Sequence, residues 1–158
     1  MRIEEKDLQE IFESASHQAL SFAAPVCILD TNIVLDLLLF EDESAANLKQ
    51  CIRKGLLQPV GHYDTFYELA DVITRTQFKL SESEQKEILQ KWLEIHLVYP
   101  KPLETEPYCK DHDDDKFFNL ARAVQASYLF SKDKKVLKAR SKAKRFGCVV
   151  RNTKDFSL

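Results

Sequence analysis

Apolar positions follow two rhythms along this chain. Compact runs of apolar residues, bounded by polar residues or proline, alternate with stretches of three-to-four-residue periodicity. Leu8, Ile11, Phe12, Ala15 and Ala19 recur at helical spacing and predict an amphipathic helix over residues 5–20. Pro25 separates it from Val26-Cys27-Ile28-Leu29, which reads as a buried strand. A second apolar run, Ile33 to Phe40, begins just after Thr31 and Asn32, both suited to capping a helix. Residues 44–54 predict a further helix, opened by Ser44 and closed by Gly55.

Gln58-Pro59-Val60 reads as a strand, and Phe66, Leu69, Ala70 and Ile73 place a helix between His62 and Arg75. Ser81 and Glu84 form a capping-box pair that opens a helix running to Ile95. Leu97-Val98-Tyr99 follows as a strand, and residues 100–112 as a proline-containing loop. A helix then starts near Asp113 to Asp115 and runs through Phe117, Phe118, Leu120, Ala121 and Val124. Tyr128-Leu129-Phe130 predicts a strand, Asp133 to Lys142 a helix, and Cys148-Val149-Val150 a last strand. Short strands alternating with helices imply an α/β domain built on a mainly parallel sheet with helices on both faces. The boundaries are an N-terminal helical extension at 1–24 and one domain at 25–158.

Composition narrows this further. With 158 residues, 44% of them hydrophobic, the chain can bury one core. Three Gly and five Pro leave no room for long flexible linkers or collagen-like segments. No apolar run reaches the roughly 18 residues a membrane span needs. Arg2, Glu4, Glu5, Lys6 and Asp7 are unlike a secretory leader, so the expectation is a soluble cytoplasmic protein. Cys27, Cys51, Cys109 and Cys148 form no C-x-x-C pair, which argues against structural zinc. Cys27 and Cys148 read as small core residues in a reducing compartment. A net charge of −2 advertises no global affinity for nucleic acid. Basic residues concentrate between Lys132 and Arg145, including Lys134 and Lys135; this segment is either a solvated helical face or a phosphate-backbone contact.

The acids carry the candidate chemistry. In a parallel α/β sheet, functional groups gather beyond the carboxyl ends of the strands. Asp30 follows the first strand directly, and Asp133 follows Tyr128-Leu129-Phe130 after Ser131 and Lys132. Either acid alone also suits a helix cap or turn. Asp113-Asp114-Asp115, with Asp111 close by, shifts the balance. Capping uses only one or two carboxylates, the rest repel one another, and a divalent cation would relieve that conflict. Glu68 falls on the helical wheel with Asp64, Asp71 and Arg75, away from the apolar face, and on composition reads as a solvated surface residue.

Leu29-Asp30-Thr31-Asn32, followed by Ile33-Val34-Leu35-Asp36, resembles the opening motif of PIN domains. Tyr67-Glu68-Leu69-Ala70-Asp71-Val72 resembles the family's second motif, Asp113 to Ala121 the third, and Tyr128 to Asp133 with Val136-Leu137 the fourth. The third motif's form is typical of a bacterial subgroup of toxin–antitoxin toxin components. The resemblance covers residues 26–152. The family's helix-then-strand spacing selects Asp115 over Asp114 as the third acid and Asp133 over Asp155 as the fourth. Arg151 to Phe156 also looks like a version of the closing motif. Ser131-Lys132 departs mildly from the Thr-plus-small pattern common there.

The resemblance implies a PIN-like three-layer α/β/α fold and a metal-dependent endoribonuclease using Mg2+ or Mn2+. Asp30, Asp115, Asp133 and Glu68 would hold the metal and carry catalysis. Thr31, Asn32, Asp114 and Ser131 would support them, and Lys132, Lys134 and Lys135 would contact nucleic acid. It also implies an RNA substrate and an antitoxin partner. The apolar face of residues 5–20, with Ile11 and Phe12, either packs against its own domain or supports a homodimer or partner docking. The competing readings are a non-catalytic PIN-fold binding module and an aspartate-dependent phosphohydrolase. Asn32 stands where the latter usually carries a second Asp, and residues 1–25 lack the acidic pair of a receiver-like domain.

Overall fold

The computed structural model describes residues 2–14 and 24–158. Five strands form one sheet, β1 (Val26–Leu29), β2 (Gln58–Gly61), β3 (Leu97–Val98), β4 (Tyr128–Phe130) and β5 (Val149–Arg151). Their order is β3-β2-β1-β4-β5, and every pairing is parallel. All four β1 residues are buried, as expected of a strand covered on both faces. Cys27 and Leu29 join one hydrophobic core; Val26 and Ile28, pointing the opposite way, join the other.

The first core is roofed by α1 (Glu5–Ser14), α2 (Thr31–Leu38), α3 (Ala46–Arg53), α4 (Tyr63–Val72) and α5 (Glu82–Ile95). The second is closed by α6 (Asp115–Ala123), α7 (Lys134–Lys138) and α8 (Arg140–Lys144). The expected three-layer α/β/α architecture is therefore what the chain adopts. The chain winds from β1 outward to β3, then crosses back to lay β4 on the other side of β1. That reversal opens the crevice between β1 and β4 at their carboxyl ends.

Local rules explain most boundaries. Ser81 accepts from the Glu84 N–H while the Glu84 carboxylate accepts from the Ser81 N–H, so the expected capping box opens α5. On the neighbouring helix the His62 imidazole and Thr65 play the equivalent parts. Gly61 lets α5 close onto β2: a Cβ there would lie 2.3 Å from Trp92 Cζ2.

Two elements differ in kind from expectation. The helix expected from Ser44 starts as a 3-10 turn, Glu43–Ala45, because the Asp42 carboxylate takes the Ser44 N–H; the α-helix itself begins at Ala46. The single helix expected over 133–142 is two, broken where Ala139 flattens to φ −87 and ψ 6. Of the helix expected over 5–20, Glu5–Ser14 is seen and the remainder falls outside the described residues. Leu8 is buried and the Phe12 ring meets Tyr63 and Phe66 at 5.1 and 5.2 Å, so α1 packs on α4 of its own chain. All four cysteines are free and buried. No described helix is long and apolar enough to cross a membrane.

Candidate active site

Asp30 leaves the end of β1 and occupies the N-cap position of α2 without using its side chain as a cap. Its N–H donates to the Phe130 carbonyl at 3.0 Å, which ties the ends of β1 and β4 together. The Ser131 hydroxyl donates to Asp30 Oδ2 at 2.6 Å and itself accepts from the Asp133 N–H at 3.0 Å. Burial pushes the Asp30 carboxyl up to about 6, with Glu68 and Asp133 adding repulsion; the Ser131 hydroxyl and Thr31 N–H pull the other way.

Glu68 is not the solvated residue its helical wheel suggests. One carboxylate oxygen accepts from the Thr31 hydroxyl, and the other meets Lys116 Nζ at 2.9 Å. Elements α2 and α6 converge on this side of α4, so a polar wheel position becomes a half-buried one. Thr31 thus serves Asp30 through its N–H and Glu68 through its hydroxyl. Asn32 points to solvent at the start of α2.

The acidic triple divides its labour. Asp111 caps the 3-10 turn His112–Asp114 through the Asp113 N–H. Asp115 Oδ1 accepts from the N–H groups of Tyr108 and Cys109, and its other oxygen meets His112 Nδ1 at 2.9 Å. Burial opposes ionisation of Asp115, but these donors outweigh it and hold the carboxyl below its usual range. Asp114 is the opposite case. It sits at the N-cap of α6 without making a side-chain cap bond, and its Oδ2 is buried with no hydrogen-bond partner among the described residues. Burial, then Asp30, Asp133, Asp111 and Glu68, push its carboxyl up to about 7. The structure therefore brings Asp114 into electrostatic contact with Asp30, Asp133 and Glu68, and commits Asp115 to anchoring the 108–112 loop.

Asp133 stands at the N-cap of α7, where it accepts from the Lys135 N–H. Asp155, the competing fourth acid, is exposed in a left-handed turn with φ 59 after β5. Lys134 and Lys135 are exposed beside Asp133. Lys132, whose side chain is 44% exposed, grips both oxygens of Asp36 through its Nζ at 3.0 and 2.9 Å. Asp36, only 2% exposed, is a member of this region that sequence reasoning missed. Its place inside an apolar run at a core-facing helical position was the available signal.

Among the described residues, no three His, Cys, Asp or Glu side chains converge tightly enough to form a ligand set by themselves. The acids act on one another at longer range, which suits a hard cation that keeps part of its water shell. The all-oxygen donors and the orphaned Asp114 Oδ2 fit such an ion.

Comparison with solved structures gives the same fold. A chain of the crystal structure of VapBC2 from Rickettsia felis bound to a DNA fragment from their promoter superposes with a TM-score of 0.51 at 16% identity. The match covers 80% of this chain and 98% of that chain. A search of curated proteins gave no match. The PIN-domain family profile matches residues 26–135, a span that holds the ends of β1 and β4 and every acid just placed between them. The chain belongs to the PIN-domain family, whose members are generally nucleases.

Proposed function

We propose that this chain is an endoribonuclease dependent on Mg2+ or Mn2+, acting as the toxin component of a toxin–antitoxin pair. The observation that carries the reading is Asp114 Oδ2, a buried carboxylate oxygen without a partner, set among Asp30, Asp133 and Glu68. A protein does not leave such an oxygen uncompensated without cost, and a divalent cation removes that cost. Asp30, Asp114 and Asp133 would hold the cation, directly or through water, with Glu68 beside them. When bound, the cation supplies Lewis acidity, activating water and offsetting charge on the phosphate.

The chain's own residues do the rest. Ser131 keeps Asp30 oriented and favours its ionised form. Thr31 and Lys116 fix Glu68, one partner on each carboxylate oxygen. Asp115 holds the loop that carries Asp114 in place. The toxin role rests on the third-motif resemblance and on the fold shared with a VapBC2 chain. An antitoxin would cover the same acidic crevice, and a homodimer is the expected assembly.

The test is cleavage of a mixed single-stranded and structured RNA panel with Mg2+ or Mn2+, with and without chelator. Cleavage that depends on the ion and is lost in Asp30→Asn supports the reading; an inert wild-type protein across both ions overturns it. One observation favours a second reading, a binding module that does not cleave: Lys116 already neutralises part of Glu68. RNA binding without cleavage in the same panel would select it.

A further inference from the structure

Beyond the carboxylates, the loop anchored by Asp115 has a second face. Tyr108 stacks on Phe118 at 5.3 Å and meets Phe146 edge-on at 6.0 Å. Lys142 Nζ donates to the Tyr108 carbonyl at 2.8 Å, which fixes the ammonium beside these rings. Arg122, in the last turn of α6, and Arg145, closing α8, complete a cavity of about 380 Å³ whose single acidic lining residue is Glu106. Neither guanidinium has a hydrogen bond or ion pair among the described residues. Three cations from two helices therefore line one concave site against one carboxylate, and two of them are unspent.

We infer that this cavity binds a phosphate and adjoining base of a single-stranded RNA whose scissile phosphate lies at the acidic crevice. Two observations select this occupant. Guanidinium forks match phosphate geometry, while the exposed parts of Tyr108 and Phe146 offer rings on which a base can stack. The cavity also adjoins the acids: the Tyr108 N–H donates to Asp115 Oδ1 while the Tyr108 carbonyl accepts from Lys142. The 106–109 segment is a shared wall, with anion-repelling chemistry on one side and anion-binding chemistry on the other. A polyanion bridging the two would be drawn to the basic side and presented to the acidic one. The inference rests on the ribonuclease reading above and adds where the strand is held.

The test uses the full chain with chelator present, so that binding is measured without cleavage. Affinity for a fluorescently labelled single-stranded RNA is followed by anisotropy across a salt series, for the wild type and for Arg122→Gln/Arg145→Gln. Neither arginine has a polar partner among the described residues, so the melting temperature of the variant should match the wild type. The expected result is several-fold weaker RNA binding and a salt slope shallower by about 0.7, the share of one lost single-strand phosphate contact. Equal affinity and slope in the variant overturn the inference while leaving the ribonuclease reading intact. Inorganic phosphate that stabilises only the wild type, with RNA affinity unchanged, overturns the RNA assignment in favour of a free-anion site. A wild-type protein that binds no RNA overturns this inference, and absence of cleavage with either ion separately overturns the activity.

Discussion

Ser131 and Asp30 lie 101 positions apart in sequence, and the hydroxyl of one donates to the carboxylate of the other at 2.6 Å. Both are buried, so the bond is charge-assisted and shielded from water. It favours the ionised form of Asp30 against a burial penalty that opposes it. Ser131→Ala should therefore raise the Asp30 carboxyl further and move the acid limb of the pH–activity profile to higher pH. A stability loss of about 1–2 kcal/mol should accompany it, and Ser131→Thr should restore the profile. An unmoved acid limb in the alanine variant would show that Asp30 ionisation does not govern activity.

Asp30→Asn should separate stability from function. The folded carboxyl titrates near 6 against an ordinary value of 3.8. Between those values the unfolded chain ionises while the folded one holds its proton, so Asp30 destabilises the fold increasingly as pH rises through that window. Above it the full penalty applies, of order 2–3 kcal/mol. Urea denaturation in chelator should find the variant more stable than wild type at pH 8 and nearly equal at pH 3.5. Mg2+ or Mn2+ should stabilise the wild type and not the variant.

Asp114 and Asp115 are adjacent in sequence but differ in work. Asp115→Asn strips a charged acceptor from the Tyr108 and Cys109 N–H groups, and should cost about 1–3 kcal/mol in denaturant midpoint measurements. Asp114→Asn removes a carboxylate that makes no cap bond and should leave stability unchanged or raised, while cleavage is lost. The reverse pattern would return the third acid to Asp115.

The Lys132–Asp36 pair predicts a third kind of effect. Asp36 is almost fully buried, whereas the Lys132 side chain is 44% exposed. Lys132→Ala would strand a buried carboxylate; with discounting for the solvent that reaches the lysine, the loss is about 2–3 kcal/mol. Asp36→Asn/Lys132→Met should recover most of it, because no unpaired charge remains. Equal losses in the single and double variants, by urea titration, would show that the lysine acts through packing.

Much of the architecture was readable because it rests on local rules. The capping box at Ser81 and Glu84, the buried run Val26 to Leu29 and the strand-helix alternation need only neighbouring residues to be recognised. The break at Ala139 was not, since both halves of Asp133 to Lys142 keep helical composition and the backbone turns between them without a breaker residue. Asp30 and Asp133 were likewise legible as acids at strand ends. Glu68 was legible only through resemblance, because the Thr31 and Lys116 that half-bury it come from other helices.

By itself the sequence determined the order of strands and helices and the acids available at their ends, because periodicity, caps and breakers act over a few residues. Tertiary structure alone decided which acid faces the other acids. Asp114 and Asp115 share a neighbourhood, a helix start and a charge. The N–H groups of Tyr108 and Cys109 claim one; the fields of Asp30, Asp133 and Glu68 converge on the other. The same holds for Lys132, which sequence placed among phosphate contacts and the fold bound to Asp36. Hydrogen-bond partners and burial are set by segments that meet only once the sheet has formed, so the division of roles among like residues could not be read along the chain.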